Sequence, residues 1–279
     1  MTNTHYPSIL MVGAGNMGSS IAAGLIARNW PANQVTFCDL DSDRHRFLKE
    51  KFPDSHIISD PSELTSTPKV VLLAVKPDDM SSLCQQLSTA NLPTNTLFIS
   101  IAAGVPINAF QNWLGAKASI VRCMPNTPAA IGLGMTGLYC SQKIAPPDRE
   151  LADQILSSIG KTLWVDKECM LDAVTALSGS GPAYLFYFME CLQESGMSLG
   201  LNSQDSYLLT LQTMLGAAQL AQQQDIEFKT LRANVTSKGG TTEKAINCFI
   251  DKDMKNTVDS ALKAAAERAG EISQTFNKE

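Results

Sequence analysis

Apolar runs of strand length alternate with polar or helical stretches along the first 166 residues. Seven such runs occur: SILMVG (8–13), QVTFCD (34–39), VVLLAV (70–75), TLFISIA (96–102), ASIVRC (118–123), TGLYCS (136–141) and TLWVD (162–166). Strands that alternate with helices form a mostly parallel sheet with helices on both faces. Such covered strands are apolar throughout, as several of these runs are. The pattern predicts an α/β fold, with a Rossmann-type doubly wound sheet in residues 1–166.

Helical spacing replaces the strand signals beyond residue 166. It runs through LDAVTALSGS (171–180), YLFYFMECLQES (184–195), SYLLTLQTMLGAAQLAQQQ (206–224) and VDSALKAAAERAGEISQTF (258–276). Asn202 and Asp253 stand where helix-capping residues are expected. Residues 167–279 are therefore predicted to form an all-helical C-terminal domain.

The segment 207–221 is apolar around most of a helix surface. Its apolar residues are Leu208, Leu209, Leu211, Met214, Leu215, Ala217, Ala218, Leu220 and Ala221. A helix that is apolar nearly all round is buried from several sides. In so small a domain a second copy of the chain would bury it most easily, which predicts a homodimer; the alternative is a core helix of a monomer.

Composition narrows the partners and the compartment. The chain has 279 residues, 44% of them hydrophobic, and a formal net charge of −5 without a basic block, which argues against binding to nucleic acid or anionic membranes. MTNTHYPS lacks the features of a signal peptide, and VVLLAV (70–75) is too short to cross a bilayer. Seven cysteines without a C-x-x-C pair favour buried thiols in a reducing cytoplasm.

The first strand runs into GAGNMG, which predicts a dinucleotide site. Gly13 permits a tight turn, Gly15 lets a pyrophosphate approach the backbone, and Gly18 lets helix and strand pack closely. The phosphates would meet N–H groups at the helix N-terminus. Asp39 closes the next strand, 21 residues after Gly18. The alternative, a glycine turn without a ligand, does not account for this whole strand–helix–strand pattern.

Asp39 leaves the choice of coenzyme open. An acid at this position typically bonds the ribose hydroxyls of NAD and repels the 2′-phosphate of NADP. Ser42 and Arg44 follow and could hold that phosphate if Asp39 turns aside, although Arg44 could equally be a solvated helix residue. Lys76 in AVKP (74–77) could touch ribose or phosphate, or be a surface lysine. Asn126 in VRCMPNTPA (121–129) offers an amide to orient a nicotinamide ring.

A second candidate anion loop, VTSKGGTTEKAI (235–246), lies within the helical half. Gly239 and Gly240 can turn successive N–H groups inward as a nest. Thr241 or Thr242 would cap a helix that begins at Glu243, leaving first-turn donors for a carboxylate. The alternative is a plain glycine turn with a threonine cap.

The chain lacks the usual groups for alcohol oxidation. His5, His45 and His56 all precede the helical half and are expected at the surface, and no metal-ligand cluster or G-x-S-x-G elbow occurs. Oxidising an alcohol needs a group that takes the hydroxyl proton. Reducing a reactive C=N bond needs a hydride donor, correct placement and a hydrogen bond to the nitrogen.

Several motifs, in order and spacing, resemble the 1-pyrroline-5-carboxylate reductases over nearly the whole chain: GAGNMG, AVKP, SIAAG (100–104), VRCMPNTPA, TALSGSGPAY (175–184) and LRANVTSKGGTTEKAI (231–246). The resemblance implies that NAD(P)H, with NADPH favoured and NADH as the alternative, reduces a cyclic imino acid to L-proline. It also implies interleaved dimers, often assembled into decamers.

The resemblance also implies roles for individual residues. The substrate carboxylate would be held by backbone N–H groups and the Ser237 hydroxyl, while the Thr242 hydroxyl would bond the ring nitrogen; these two side chains are the predicted catalytic pair. The substrate loop comprises Ser237, Gly239, Gly240, Thr241 and Thr242. The coenzyme contacts that it implies are Gly13, Ala14, Gly15, Asn16, Met17, Gly18, Ala74, Val75, Lys76, Pro77, Ala102, Ala103, Gly104, Met124, Pro125 and Asn126. Asp39 and Arg44 join them from the pattern of the second strand and the loop after it.

The sequence differs from the usual family pattern at two positions, and two other classes of protein are alternatives. Lys238 stands where the family usually has proline, and Asp39 where NADPH-preferring members often have a neutral residue. A β-hydroxyacid dehydrogenase would carry a catalytic lysine in G-x-G-x-x-x-K, where this chain has Leu185 after Gly179 and Gly181. A non-catalytic NADPH-sensing protein would leave the GGTT loop without a role.

Overall fold

Eight strands form one sheet in the computed structural model, which describes residues 6–90, 92–141, 144–224 and 226–276. His5 lies outside these residues. The strands are β1 (Ile9–Val12), β2 (Val35–Cys38), β3 (His56–Ile58), β4 (Val70–Leu73), β5 (Leu97–Ser100), β6 (Ser119–Met124), β7 (Gly134–Cys140) and β8 (Gly160–Trp164). Each of the seven predicted apolar runs overlaps a strand.

The sheet has the order β3-β2-β1-β4-β5-β6-β7-β8. Every neighbouring pair is parallel except β6 and β7, which are antiparallel. Val12 is in register with Cys38 on one side and Leu73 on the other, so β1, β2 and β4 end side by side. The strand order reverses between β1 and β4, and this switch point is where α/β sheets bind ligands. The predicted doubly wound, mostly parallel sheet is confirmed.

Strand β3 was not predicted. It has only three residues, lies at the edge of the sheet, and leaves His56 exposed. Its apolar pair, Ile57 and Ile58, is too short for a strand signal, so pairing with β2 decides its conformation.

Helices cover both faces of the sheet. They are α1 (Asn16–Ala27), α2 (Ser42–Lys51), α3 (Met80–Thr89), α4 (Ile107–Leu114) and α5 (Pro146–Ser157), with short 3₁₀ turns between some elements. One buried cluster packs α1 and α5 on one face, where Ile21, Leu25 and Ile155 are almost fully buried. The other packs α3 and α4, including Leu87 and Phe110. Burial on both faces explains why the central strands are apolar throughout.

The rest of the chain is helical, as predicted. Helix α6 (Met170–Val174) continues through a π-helical turn (Thr175–Gly179), and the helices after it are α7 (Gly181–Ser198), α8 (Ser203–Gln224), α9 (Phe228–Asn234), α10 (Thr241–Asp251) and α11 (Met254–Thr275). Asn202 caps α8, since its Oδ1 accepts from the Asp205 N–H at 2.8 Å. Asp253 precedes α11, and its carbonyl accepts from the Thr257 N–H.

By contacts the chain divides into two compact units, Met1–Ser180 with Ala265–Glu279, and Gly181–Ala264. The division by contacts therefore falls within the LSGSGPAY segment and within α11. The predicted domain boundary, 1–166 against 167–279, stays a prediction.

Helix α8 is not a buried core helix of the single chain. Leu208, Leu209 and Leu215 have 61%, 55% and 46% of their surface exposed, and only Ser206 in this helix is buried. The monomeric alternative is therefore wrong for these leucines. No described helix is long and apolar enough to cross a membrane.

Candidate coenzyme and substrate sites

The glycine loop joins the ends of three strands. Gly13 follows β1 with φ +86°, and its N–H donates to the Cys38 carbonyl at 2.9 Å. A Cβ on Gly13 would lie 2.8 Å from the carbonyl carbon and oxygen of Ala74. Only glycine fits this conformation and this closeness, so the predicted tight turn is present.

Gly15 and Gly18 have the geometry that the motif predicts. A Cβ on Gly18 would come within 2.5 Å of the Gly13 carbonyl oxygen, which explains the close packing of α1 on the loop. A Cβ on Gly15 would meet no atom within 4 Å, and Gly15 is the N-cap of α1 without a side-chain cap. No side chain caps the first-turn N–H groups of α1, and uncapped donors of this kind are what a pyrophosphate binds at a helix N-terminus.

Asp39 and Arg44 both contact Ala14. The Asp39 carboxylate accepts from the Ala14 N–H at 2.7 Å through one oxygen and from the Asp41 N–H at 3.0 Å through the other. Arg44 donates to the Ala14 carbonyl through Nε and to the Ser19 hydroxyl at 2.8 Å through Nη2. Its guanidinium also lies 4.3 Å from the centre of the Phe47 ring. Arg44 is thus not simply a solvated helix residue, while Ser42 begins α2.

A crevice of about 330 Å³ opens beside Gly13, at the ends of β1, β2 and β4. It lies where doubly wound sheets bind a dinucleotide, and we call it the adenosine crevice. Three carboxylates line it, those of Asp39, Asp60 and Asp79, and its lining includes no cation. Arg44 lines a separate cavity of about 410 Å³ with Lys51 and Phe47. Burial, and after it the charges of Asp60, Asp39 and Glu63, raise the pKa of the Cys38 thiol to about 12, so Cys38 stays neutral beside the crevice.

The remaining predicted coenzyme segments follow β4, β5 and β6 at the same edge of the sheet. Ala74–Pro77 leads from β4 into a 3₁₀ turn, and Lys76 is exposed. Ala102–Gly104 follows β5, where Gly104 has φ +80° and a Cβ on it would lie only 2.3 Å from Cγ2 of Ile272. Met124 is the last residue of β6, and Pro125 and Asn126 follow it. The fold therefore brings these loops to the edge that carries the glycine loop.

Asn126 is already hydrogen-bonded within the protein. Its Nδ2 donates to the Ser178 carbonyl at 3.1 Å and to the Ser178 hydroxyl at 3.3 Å, and its Oδ1 accepts from the Met135 N–H at 2.9 Å. Its predicted contact with nicotinamide stays a prediction. Sequence analysis missed Ser178 as its partner.

The second loop connects α9 to α10. Gly239 has φ +76°, and the Gly240 N–H donates to the Ser237 carbonyl at 3.1 Å, closing a turn. Helix α10 begins at Thr241, with Gly240 as its N-cap and no side-chain cap. The N–H groups of Thr241 and Thr242 belong to the first turn and have no acceptor within the helix. The loop therefore presents main-chain donors suited to an anion.

Two details of this loop differ from the sequence prediction. The prediction that Thr241 or Thr242 caps a helix beginning at Glu243 is wrong, because the helix begins two residues earlier. Glu243 instead accepts from the Gly239 N–H at 2.7 Å through its side chain. Sequence analysis did not include this carboxylate. It occupies an N–H group that the loop was predicted to offer to an anion. Ser237 and Lys238 are exposed.

Two of the three histidines, His45 and His56, lie among the described residues. His56 is exposed on β3, while His45 is partly buried and its Nε2 lies 2.6 Å from the Asp39 carbonyl. Both belong to the unit that holds the glycine loop. Among the described residues, no group of three or more acidic, histidine or cysteine side chains could hold a metal ion.

Relatives of known name match the chain over almost its whole length. A pyrroline-5-carboxylate reductase from Pseudomonas aeruginosa is 41% identical, with 98% of this chain and 99% of that protein covered. One from Pasteurella multocida is 38% identical over 96% of this chain and 98% of its own length. The chain belongs to the pyrroline-5-carboxylate reductase family.

Family models divide this pyrroline-5-carboxylate reductase homologue in two. Residues 8–104 match the model described as NADP oxidoreductase, coenzyme F420-dependent, and residues 168–272 match pyrroline-5-carboxylate reductase dimerisation. The pyrroline-5-carboxylate reductase structure from Coxiella burnetii has a TM-score of 0.91 at 38% identity and covers 96% of this chain and 99% of its own. The Plasmodium falciparum pyrroline carboxylate reductase, solved with NADP bound, has a TM-score of 0.83 at 28% identity, covering 96% and 98%.

Proposed function

We propose that the chain reduces the C=N bond of 1-pyrroline-5-carboxylate with NAD(P)H and so forms L-proline. The observation that carries the proposal is a second anion loop, at the uncapped N-terminus of α10, in a chain whose glycine loop already accounts for a pyrophosphate. Its membership of the reductase family supports the same reaction. Neither a β-hydroxyacid dehydrogenase nor a non-catalytic NADPH-sensing protein is favoured. The family relatives are reductases, and the position of the dehydrogenase lysine holds Leu185.

The substrate loop contributes binding and orientation. We assign the carboxylate to the N–H groups at the start of α10 and to the Ser237 hydroxyl, and the ring nitrogen to the Thr242 hydroxyl. NAD(P)H, when bound along the glycine loop, would supply the hydride to the imine carbon, and the ring nitrogen would take up one proton from water. Because an imine is already electrophilic, most of the acceleration comes from proximity and orientation, and a hydrogen bond to nitrogen supports the rest.

For the coenzyme we propose NADPH, with NADH as the alternative. The NADP oxidoreductase model over residues 8–104 supports NADPH, and Arg44 lies close enough to Ala14 to serve a phosphate at the loop. The Asp39 carboxylate and the acidic lining of the adenosine crevice support NADH. Steady-state kinetics with each coenzyme and the same substrate would decide the preference, which is measured as the ratio of the two kcat/KM values.

The reaction is tested by following proline formation from pyrroline-5-carboxylate with NADPH and, separately, with NADH. We expect turnover with at least one coenzyme. Tight binding of NADPH without turnover would favour the sensor alternative, and an absence of turnover with both coenzymes would contradict the proposal.

The roles of Thr242 and Gly240 give the first prediction. Thr242→Ala should lower kcat roughly ten- to hundredfold, because it removes the hydrogen bond to the reacting nitrogen. Gly240→Val should abolish saturation with substrate, because a Cβ there already lies 3.1 Å from the Ser237 carbonyl oxygen and 3.2 Å from its hydroxyl. Unchanged kcat and KM in both variants would contradict these roles and indicate that the loop has only a structural role.

We also propose a homodimer formed through the helical domain, with decamers as the larger assembly, and a cytoplasmic location. The dimerisation model over residues 168–272 and the exposed leucines of α8 support the dimer. The decamer is supported by the family resemblance. All seven cysteines are free thiols, which supports a reducing compartment such as the cytoplasm.

A further inference from the structure

The segment Met124–Asn126 is held against the π-helical turn Thr175–Gly179. A Cβ on Gly179 would lie 2.5 Å from Cε of Met124, and one on Gly137 of β7 would lie 2.6 Å from a methyl group of Val174. Asn126 adds the hydrogen bonds to Ser178. Packing and hydrogen bonds thus join a predicted coenzyme segment to the LSGSGPAY segment.

The Ser178 carbonyl is available to Asn126 for a reason visible in the sequence. In an α-helix this carbonyl would accept from the N–H of residue 182. Residue 182 is proline, which has no N–H. The turn is also widened, since the Ser180 N–H bonds the Thr175 carbonyl five residues back at 2.8 Å. Pro182 therefore removes the α-helical donor, and the Asn126 amide takes its place.

The Asn126 side chain has few groups left for another partner. Both Nδ2 bonds go to Ser178, and Oδ1 accepts from the Met135 N–H at the start of β7. The carboxamide thereby ties three segments together: the end of β6, the start of β7 and the π turn. A side chain held in this way fixes the backbone that carries it.

We infer that Asn126 is a positioning residue, which fixes the Met124–Asn126 backbone for the coenzyme through the Ser178 carbonyl, whose α-helical donor is missing at Pro182. The inference rests on the proposed function for its effect on catalysis, whereas its structural part is independent of the reaction. Asn126 acts in this role without a direct contact with the nicotinamide ring.

A double-mutant cycle of Asn126→Ala and Pro182→Ala tests the inference, because Pro182→Ala returns an N–H that competes for the Ser178 carbonyl. Pro182→Ala should lower kcat about three- to tenfold while the thermal midpoint changes little, because Pro182 lies in the first turn of α7, where both proline and alanine are tolerated. Asn126→Ala should lower kcat about tenfold or more, and the double variant should be no slower than Asn126→Ala alone. The dissociation constant for NADPH should change less than about threefold throughout, since the pyrophosphate binds elsewhere.

Hydrogen exchange of the ligand-free protein gives a second readout. The Met135 amide should exchange about tenfold faster in Asn126→Ala, and faster in Pro182→Ala as well. It should also exchange faster in Asn126→Asp, which keeps the acceptor but loses both donors to Ser178. It should stay near the wild-type rate in Ser178→Ala, which keeps the carbonyl. Ser178→Ala is the matched control and should retain most of kcat.

Three outcomes would overturn the inference: additive losses of kcat in the double variant, Met135 exchange that Pro182→Ala leaves unchanged, or a large rise in the NADPH dissociation constant in Asn126→Ala, which would indicate direct contact. A wild-type protein without turnover would contradict the proposed function instead, and the exchange measurements would still test the hydrogen bonds.

Discussion

Single glycines fix the geometry of the coenzyme loop. Gly13 holds a left-handed conformation beside the Ala74 backbone, and Gly18 lies against the Gly13 carbonyl, so neither position has space for a side chain. Gly15 differs, because its surroundings are open. Two glycines of the motif are thus explained by contacts within the protein, and the third by space that a ligand would fill.

Glu243 bonds a main-chain donor of the second loop. Its carboxylate accepts from the Gly239 N–H, a donor that the substrate carboxylate would also use. A negative charge at the first turn of α10 stabilises the helix but competes with an anionic ligand.

Glu243→Gln should therefore lower KM for pyrroline-5-carboxylate about two- to fivefold, because an amide is a weaker competitor and repels no anion. The thermal midpoint should fall slightly. Steady-state kinetics at fixed NADPH would measure the effect. Glu227→Gln, an exposed glutamate at the start of α9, is the control and should leave KM unchanged. A higher KM in Glu243→Gln would indicate that Glu243 instead prepares the loop for substrate.

At the scale of elements, an ion pair joins the sheet to the first helix of the helical half. The Arg122 guanidinium on β6 donates to the Glu168 carboxylate at 2.7 Å, and the same carboxylate oxygen accepts from the Ile107 N–H at the start of α4. Arg122 is almost fully buried. The pair thereby connects β6, α4 and the segment that leads into α6.

Asp172 on α6 lies close enough to this pair to feel both charges. Burial raises the pKa of its carboxyl above the ordinary 3.8; the Arg122 charge lowers that pKa and the Glu168 charge raises it further. A carboxyl with a raised pKa in the folded state binds its proton more tightly there than in the unfolded chain. Its contribution to stability is therefore present below pH 3.8 and is lost as the pH rises through the folded-state pKa.

Asp172→Asn should accordingly raise the thermal midpoint at pH 7 by roughly a few degrees, and the gain should shrink as the pH falls toward 4. Calorimetry across this pH range would measure it. Asp166→Asn, which removes a carboxylate from the segment between β8 and α6, is the control for the loss of one negative charge in this region. A stability gain that is equal at pH 4 and pH 7 would contradict the assignment.

At the scale of the whole molecule, α11 belongs to both compact units. Its first half, up to Ala264, falls in the helical unit, and the rest falls with the sheet. In this second part of the helix, Ile272 packs on Gly104. Just after the helix, the Phe276 ring lies 6.4 Å from the Trp113 ring. A single continuous helix thus ends against a predicted coenzyme loop.

The other whole-molecule feature is the set of exposed leucines on α8. We expect light scattering to give a multiple of the 30.1 kDa chain mass, twofold for the dimer and tenfold for a decamer. Leu208→Glu should dissociate the dimer or cause aggregation, because it places a charge on the 61% exposed leucine. Leu133→Glu changes a 70% exposed leucine of the other unit and should leave the mass unchanged. A wild-type monomer at micromolar concentration would contradict the homodimer.

Local patterns in the sequence were sufficient for much of this fold. Alternating apolar runs predicted seven strands, since parallel strands covered on both faces must be apolar. The glycine motif predicted the first turn, because backbone sterics at Gly13 and Gly18 are local. Strand β3 was missed because its three residues are too few to show a strand pattern. The predicted start of α10 was two residues too late, because Gly240 rather than a threonine precedes its first turn.

The sequence by itself determined the order of strands and helices, the two glycine loops and the family, because these depend on periodicity and on residues close together in the chain. Only the tertiary structure decided the partners of individual side chains. Asn126 and Ser178 are 52 positions apart, and Arg122 and Glu168 are 46 positions apart. Such pairs meet only after the sheet has formed, since the crossover connections place distant segments at one edge, and no local pattern specifies which polar groups will then lie within hydrogen-bonding distance.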